Sequence, residues 1–586
     1  MSGEIIVLKF GSSVIESWSD VPSAVHEIYG WYRSGHRVIA VVSAIGRTTN
    51  WLIGQAAELS PSPEPYALAE LLATGERNAA ALLGIALDRA GIPARVVDPR
   101  EIHLTAQGRP LDSEPTLVGQ SKVQDLLATT PVLVVPGFFG HDAQGRLRLL
   151  GRGGSDLTAV YLASVTHAQR CRLIKDVDGV YDCDPAMALD APAHRYATLD
   201  YETAIRVASP LIQPKAVRFL ERHNASAEVA GLTERYETLV GPHDITLEPG
   251  HSQPPTSVLL LGLGTVGYGV YRRLRALSRH FQVIGALCLD PLKHEQDGVP
   301  HQILHGPDSR ITLFAPDVVV DALPGLEPSR ALVRHFLERG VSVVSANKRL
   351  ISDASSELEH AAERSGAVLK YSAAVGGSAP MIEVVRRIAH RGEIRSLEGI
   401  LNGTCNYLLD RCAAGLPLEE AVEEAQAKGF AEANPQDDLI GTDAARKLKI
   451  LARHAFGREL VAVDMRPLTA SSLARARREL RHGQVLRVVS RTLLDNGRLL
   501  AEVSLRTLDA DHPLASIGGE WNCLVVTPLQ GPSVTVSGRG AGRWPTTEAV
   551  IADLLDIRHQ GARVPAQAAQ AARKAAGQSQ EVDLTP

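Results

Sequence analysis

The chain has 586 residues, 45% hydrophobic and 22% charged, and its 61 Lys+Arg against 66 Asp+Glu leave a net charge of −5. That balance is ordinary for a soluble globular protein and gives no electrostatic ground for a nucleic-acid or membrane partner. The length predicts about three to four domains. The opening "MSGEIIVLKF" lacks the basic start and long apolar core of a signal peptide, and no apolar run is long enough to span a bilayer. The six cysteines (Cys171, Cys183, Cys288, Cys405, Cys412, Cys523) form no CxxC pair, so a reduced, cytoplasmic chain is expected.

The first 232 residues alternate β-branched runs ("EIIVLKF", "RVIAVVSA", "PARVVD", "PVLVVPGFFG", "CRLIKDVDGVY") with helical stretches. Such alternation predicts a largely parallel sheet covered by helices. "VLKFGSSV" places Lys9 at a strand end, followed by Gly11, Ser12 and Ser13. Backbone N–H groups and small hydroxyls there suit a phosphate, with Lys9 as a charge on the transferring group. "GRGGSDLTAV" sets Gly153, Gly154, Ser155 and Asp156 at a helix start, a second anion site. "KDVDGVYDCDP" ends a strand in Asp176, Asp178, Asp182 and Asp184. Each motif alone reads equally well as a glycine turn or a solvated acidic loop. None is a Walker A loop, which requires GxxxxGK[ST].

In order, and with "VIAVVSAIGRTTNWLI" and "LLATGERNAAALL", these motifs resemble the amino acid kinase family over about residues 4–232, most closely its aspartate kinases. The resemblance implies helices sandwiching a mainly parallel sheet, with ATP and Mg2+ as cofactors. It sets Lys9 at the transferred phosphate and Ser43, Thr49, Glu76 and Arg152 around aspartate. Asp156 organises the centre. Gly11, Ser12, Gly153, Gly154, Ser155, and a loop carrying Asp176, Asp178, Tyr181 and Asp184, hold or border ATP. The sequence departs from the family in two places. KFGSS is one residue shorter than KFGG[ST]S and is similar to glutamate 5-kinase. "SPLIQPKA", residues 209–216, contracts a stretch that carries a nucleotide-side lysine in the family. Whether Lys215 replaces that lysine stays open.

"VGPHDITLEPGHSQPPTS" follows, with prolines at 242, 249, 254 and 255, and has the composition of a linker. A second βα series starts at "SVLLLGLG". Gly262, Gly264 and Gly267 make GxGxxG around Thr265 and Val266. The first glycine permits a tight turn, the second lets backbone approach a pyrophosphate, and the third lets helix pack on strand. "QVIGALCLD" ends at Asp290, where a carboxylate would accept from a ribose 2′-hydroxyl and repel a 2′-phosphate. Lys293 and His294 argue the other way, and Asp290 also reads as a turn start before Pro291. "DVVVDALPG" and "VSVVSANKRL" run into polar loops, which places Ser345, Asn347 and Lys348 at the cofactor edge of a doubly wound sheet. Beyond about residue 385 the pattern becomes α+β. Asp443 and Lys447 stand four apart and share a helix face, which by spacing alone reads as an exposed ion pair. The end, "VPAQAAQAARKAAGQSQEVDLTP", is poor in large apolar residues and reads as a flexible tail.

The stretches "GLGTVGYGV", "SANK", "AAVGGSAPMIEVVRR", "LEGILNGTCNYLL", "GFAEANPQDDLIGTDAARKLKIL" and "GRGAGRWPTTEAVIADLL" run in order from about residue 257 to 558 and resemble homoserine dehydrogenase. The resemblance implies reversible hydride transfer between homoserine and aspartate 4-semialdehyde, with NAD or NADP. It assigns Glu432 and Asp443 to the substrate amino group and hydroxyl, Lys348 and Lys447 to the reacting oxygen, and Gly540 to the cofactor set. The chemistry fits those residue types: aldehyde reduction builds negative charge on oxygen and then needs a proton there, and a lysine supplies both. Ser372 stands where the family often has an acidic residue. A monovalent cation on the carbonyls of Val375 and Gly377 therefore stays open.

The expected fold class is α/β: an amino-acid-kinase-type αβα sandwich, then a Rossmann domain with an inserted α+β substrate and dimerisation domain. The expected boundaries are 1–235 for the kinase domain, 236–256 for a linker, and 257–390 for the Rossmann domain, completed by about 538–560. The catalytic domain takes 391–537 and the tail 561–586. The pair resembles the bifunctional aspartokinase–homoserine dehydrogenase arrangement without its regulatory ACT modules, for which a linker of this length has no room. Three readings remain for the front half: an aspartate kinase, a kinase of homoserine or glutamate, or a non-catalytic assembly module. Partners are small molecules (aspartate, aspartate semialdehyde, homoserine), and a homodimer or homotetramer is expected.

Overall fold

The computed structural model describes residues 3–185, 187, 193–209, 211–250, 253–431, 434–495 and 497–561. The tail beyond 561 and Glu432 lie outside the described residues. Two compact units divide the chain, with breaks at 251/252, 374/375 and 548/549. The first joins the front half to residues 375–548, and the second joins 252–374 to the segment after 548.

The front half is built on a nine-stranded sheet. Its core is six parallel strands in the order Ala94–Val96, Val132–Pro136, Arg37–Val42, Ile5–Phe10, Arg170–Lys175, Ala227–Gly231. The central strand "IIVLKF" is buried on both faces, as a continuous apolar run in a parallel sheet should be. Lys9 is its polar exception. Helices Val21–Arg33, Pro65–Arg89 and Gly154–Thr166 pack against the sheet, giving the expected sandwich. A small sheet of Asp112–Leu117, Thr105–Arg109, Phe139–His141 and Leu147–Leu149 is added.

The expected linker is partly sheet. Glu237–Val240 pairs antiparallel with Ala227–Gly231, and Thr246–Pro249 pairs antiparallel with His194–Leu199. Pro249 ends its strand at the sheet edge, where no ladder donor is needed, so the prolines did not preclude pairing. Only about residues 250–255 remain between this sheet and the next strand, Thr256–Leu261.

The remainder of the first unit is a six-stranded sheet in the order Asp464–Met465, Arg498–Leu508, Val485–Asp495, Ile394–Ile400, Trp521–Pro528, Val534–Arg539. It is antiparallel except for its first pair. Helix Met381–Arg391 packs on helix Thr442–Phe456. That is why the unit begins at Val375 and not near 390: this helix belongs to the α+β layer.

The second unit is a parallel six-stranded sheet in the order Leu304–His305, Phe281–Leu287, Thr256–Leu261, Val318–Asp321, Ser342–Ser345, Leu369–Lys370. Val258, Leu260, Val318 and Val320 form its core with Ala549, Val550 and Leu554 from the last helix. No described helix is long and apolar enough to cross a membrane.

Candidate active sites

In the second unit, Gly262 sits at φ +100°, and a Cβ there would lie 2.8 Å from Ala322 O. A side chain on Gly267 would collide with Gly262 O, whereas Gly264, which caps helix Thr265–Ala276, has open space around it. Two glycines are thus required by packing. The third leaves room for an anion at a helix N-terminus, where free N–H groups favour it. These residues fit a dinucleotide. Asp290 is exposed and caps helix Pro291–Gln296, its Oδ1 accepting from Lys293 N at 3.1 Å.

The next two strand ends are tied together by a carboxylate that sequence reasoning passed over. Asp321 is fully buried. It accepts from Ser345 Oγ at 2.8 Å and from Leu323 N at 3.2 Å. Burial pushes its carboxyl upward, against those hydrogen bonds. Ser345 Oγ in turn accepts from Asn347 N at 3.1 Å. Asn347 caps the next helix by accepting from Leu350 N, and donates to Gly325 O at 2.6 Å. This chain of bonds sets Lys348 as the exposed first residue of helix Lys348–Ser365. Ser372 carries no acid of its own but meets one in space: its N and Oγ donate to Asp553 at 2.9 and 2.8 Å.

In the first unit, Asp443 and Lys447 are not an exposed pair. Both are 5% exposed, with Lys447 Nζ 2.9 Å from Asp443 Oδ2. Lys447 Nζ also donates to Leu401 O at 2.7 Å, a carbonyl that accepts from Asn522 Nδ2 at 3.2 Å. Asn402, inside the "LNGTCN" stretch, donates to Asp443 Oδ2 at 3.1 Å and to Asp438 Oδ1 at 2.6 Å, while its own oxygen caps helix Gly403–Ala413. Sequence reasoning missed Asn402, Asp438 and Asn522. A polar residue at a strand-to-helix junction is the one signal for Asn402.

Val375 is fully buried, and Gly376 and Gly377 take φ values of +87° and +58°. A side chain at Gly377 would collide with Arg539 O and lie 3.0 Å from the Gly540 carbonyl carbon, so this loop lies flat on the 539–540 backbone. Among the described residues no cluster of His, Cys, Asp and Glu is arranged to hold a metal.

The front half holds a polar cleft of 220 Å³ at the carboxyl ends of its central strands, lined by Lys9, Ser12, Ser43, Thr49, Glu76, Gly153, Gly154, Ser155 and Asp156 among others. Eight of the nine were expected from sequence in phosphate or acceptor roles, and Asp156 at the centre. A Cβ at Gly11 would lie 3.0 Å from Lys9 Nζ. Gly153 takes φ +78° and caps helix Gly154–Thr166. Asp156 is bound by two ammonium groups: Lys9 Nζ at 2.8 Å and Lys175 Nζ at 3.2 Å. Burial alone would raise the Asp156 carboxyl, but the two cations outweigh it and hold it below the ordinary value. Burial, with repulsion from Lys9, brings Lys175 down to about 8. Glu76 is buried, with Oε1 accepting from Ala44 N at 3.2 Å and Oε2 without a partner. Desolvation pushes its carboxyl up to about 7.

Arg152, Lys215 and the acidic loop all lie outside this cleft. Arg152 is exposed and does not line the cleft, whereas Arg47 and Asn50 do. Lys215 is engaged elsewhere, donating to Asp112 Oδ1, Ser113 O and Leu150 O at 2.7–2.8 Å. The second lysine of the centre is Lys175, missed in the sequence. Parallel pairing sets Lys9 opposite Leu173, so Lys9 and Lys175 emerge on one face of neighbouring strands. Asp176, Asp178, Tyr181 and Asp184 follow directly on that strand but do not line the cleft; Tyr181 donates to Asp178 at 2.8 Å, and that bond adds to burial in raising the phenol.

Residues 380–555 match the family model described as homoserine dehydrogenase, and residues 262–372 match its NAD binding domain. The homoserine dehydrogenase of Synechocystis sp. is 37% identical over 318 residues, covering 51% of this chain and 72% of that protein. The chain belongs to the homoserine dehydrogenase family. An NAD(+)-dependent homoserine dehydrogenase of Pseudomonas canavaninivorans is 36% identical over 241 residues, 40% of this chain and 68% of that one. The crystal structure of a homoserine dehydrogenase from Thiobacillus denitrificans aligns at 30% identity and a TM-score of 0.48, over 52% of this chain and 73% of that chain. Residues 4–231 match the amino acid kinase family model. A domain matching the amino acid kinase family thus precedes the NAD-binding and catalytic domains of the homoserine dehydrogenase family.

Proposed function

We propose that the chain is a bifunctional, cytoplasmic enzyme of the aspartate pathway. Its rear half interconverts homoserine and aspartate 4-semialdehyde with NAD(P). Its front half transfers phosphate from ATP, with Mg2+, to the side-chain carboxylate of aspartate, giving 4-phosphoaspartate.

The buried Asp443–Lys447 pair supports the dehydrogenase reading. A nicotinamide cofactor supplies the hydride acceptor and donor. The chain's own residues have three tasks. Asp443, oriented by Asn402, takes a substrate ammonium or hydroxyl. Lys447, held on Leu401 O, stabilises negative charge on the substrate oxygen and exchanges its proton. Glu432 joins Asp443 on the substrate. Asp290 favours NAD, and the NAD(+)-dependent relative is consistent with that preference.

The Lys9–Asp156–Lys175 centre supports the kinase reading. Two ammonium groups on one carboxylate leave a buried positive surplus, which a transferring phosphate completes. Glu76, buried with an unpartnered oxygen, suits the ammonium of an amino acid acceptor. Aspartate, glutamate and homoserine all carry that ammonium. The test is an ATP-consumption assay with each of the three, beside Asp156→Ala. Turnover with aspartate that the variant loses supports the assignment. Turnover with glutamate or homoserine alone replaces it. Silence with all three leaves an assembly module.

A further inference from the structure

The six-stranded sheet of the first unit ends in an edge strand, Val534–Arg539. Unpaired edge groups need covering, and here the kinase half meets two of them, Ser537 O and Arg539 N. Tyr32 Oη donates to Ser537 O at 2.7 Å. Gly91 O accepts from Arg539 N at 3.2 Å and from the buried Ser378 Oγ at 2.7 Å. The Asp88 carboxylate meets Arg539 Nη2 at 2.9 and 3.1 Å. Around this contact, Arg33 pairs with Glu383 at 2.9 Å and Arg89 lies 4.8 Å over the Trp544 ring.

Gly91 is shaped for this place. It takes φ +71°, and a Cβ on it would lie 2.6 Å from both Arg539 Cβ and Ser378 Oγ. It closely follows helix Pro65–Arg89, which also carries Glu76 of the kinase cleft.

The edge strand leads inward to the reacting lysine. Gly540 follows Arg539, and a side chain at 540 would occupy the space of the Asn522 amide. Asn522 Nδ2 donates to Leu401 O, and Leu401 O accepts from Lys447 Nζ. A continuous set of contacts therefore runs from Gly91 through Arg539, Gly540, Asn522 and Leu401 to Lys447, all inside one compact unit.

We propose that Gly91 and Asp88 of the kinase half are positioning residues for the dehydrogenase: they fix the Arg539–Gly540 segment against which Asn522, Leu401 and Lys447 are set. This rests on the role assigned to Lys447 above. The kinase half is then a working component of the dehydrogenase whatever its own acceptor is. Small displacements of a reacting group lower turnover steeply, about 10²-fold for an ångström, so loosening this contact acts on turnover more than on substrate binding.

The test uses the full-length protein with Gly91→Ala and, separately, Asp88→Asn with Tyr32→Phe, which adds no bulk and no backbone strain. We expect Gly91→Ala to lower homoserine kcat about 10- to 100-fold. KM for homoserine and the dissociation constant of NAD, whose turn lies in the other unit, should stay within about twofold. The polar double variant should lose less, in the same pattern. In a Lys447→Ala background Gly91→Ala should add no further loss, since the group it positions is gone. The proposal is overturned by unchanged kcat in both variants, by equal losses in kcat and NAD affinity, or by a full additive loss in the Lys447→Ala background. If Lys447→Ala itself retains turnover, the assignment of Lys447 fails instead. If Gly91→Ala does not fold, the polar double variant decides.

Discussion

The two ionic centres of the first unit are built from the same side chains in different proportion. In the kinase cleft two lysines share one aspartate across neighbouring parallel strands. In the dehydrogenase centre a single lysine meets a single aspartate along one helix, with a backbone carbonyl as third partner. The first arrangement has surplus positive charge and suits a phosphate, which arrives with its own negative charge. The second pairs one ammonium with one carboxylate, which suits a substrate oxygen that gains charge only while it reacts. On the roles proposed above, the two centres differ in how many ammonium groups meet the carboxylate.

The largest expected effect tests this separation directly. Lys447→Met should lower homoserine oxidation about 10²–10⁴-fold, the usual loss for a positioned acid–base group, and leave ATP consumption within about twofold. Asp156→Asn should do the converse, lowering kinase turnover about 10²–10³-fold while homoserine oxidation persists. Measuring both rates on both variants settles whether the centres act separately. A variant that abolishes both rates would contradict the comparison.

Glu76 sharpens it on the kinase side. Desolvation sets its carboxyl near pH 7, and only the ionised form binds a substrate ammonium. Because the folded value is raised, the productive form is lost as pH falls through 7 and gained as it rises. The acceptor kcat/KM should therefore drop about tenfold per pH unit below 7, and Glu76→Gln should flatten that limb. Homoserine oxidation should show no such Glu76-dependent limb.

A smaller effect is expected at Asp290. Asp290→Ser should raise the NADP-to-NAD preference about tenfold, equivalent to ~1.4 kcal/mol of relieved repulsion. A wild-type preference for NADP, read from initial rates, would sink the assignment. The smallest expected effect is none: threonine and lysine at sub-millimolar concentration should produce no sigmoidal or non-competitive inhibition of either rate. Allostery requires a second site with differential affinity, and the stretch between the kinase sheet and the NAD-binding sheet is only about residues 250–255.

Much of the site was legible because its signals are local. Gly262 needs a positive φ and Gly267 a close backbone contact, and both requirements fall within one turn of chain. Lys9, Gly153 and Asp156 likewise sit at strand and helix ends that periodicity locates. Lys175 was in plain view in "CRLIKDVDG", yet nothing in that stretch says it will share a carboxylate with Lys9. That follows from the pairing of Ile5–Phe10 with Arg170–Lys175, some 165 residues apart in sequence. Arg152 shows the converse: its neighbours Gly153 and Gly154 line the cleft, while Arg152 is exposed and lies outside it.

By itself, the sequence determined the two βα series, the glycine turns and the residue types of both centres, since dihedral limits and hydrophobic period act over a few residues. Only the tertiary structure decided that 237–249 pairs into the kinase sheet, that Asp443 and Lys447 are buried, and that the Gly91 carbonyl holds the dehydrogenase's edge strand. Register, burial and edge covering are set by residues distant in sequence, and a local pattern carries no record of them.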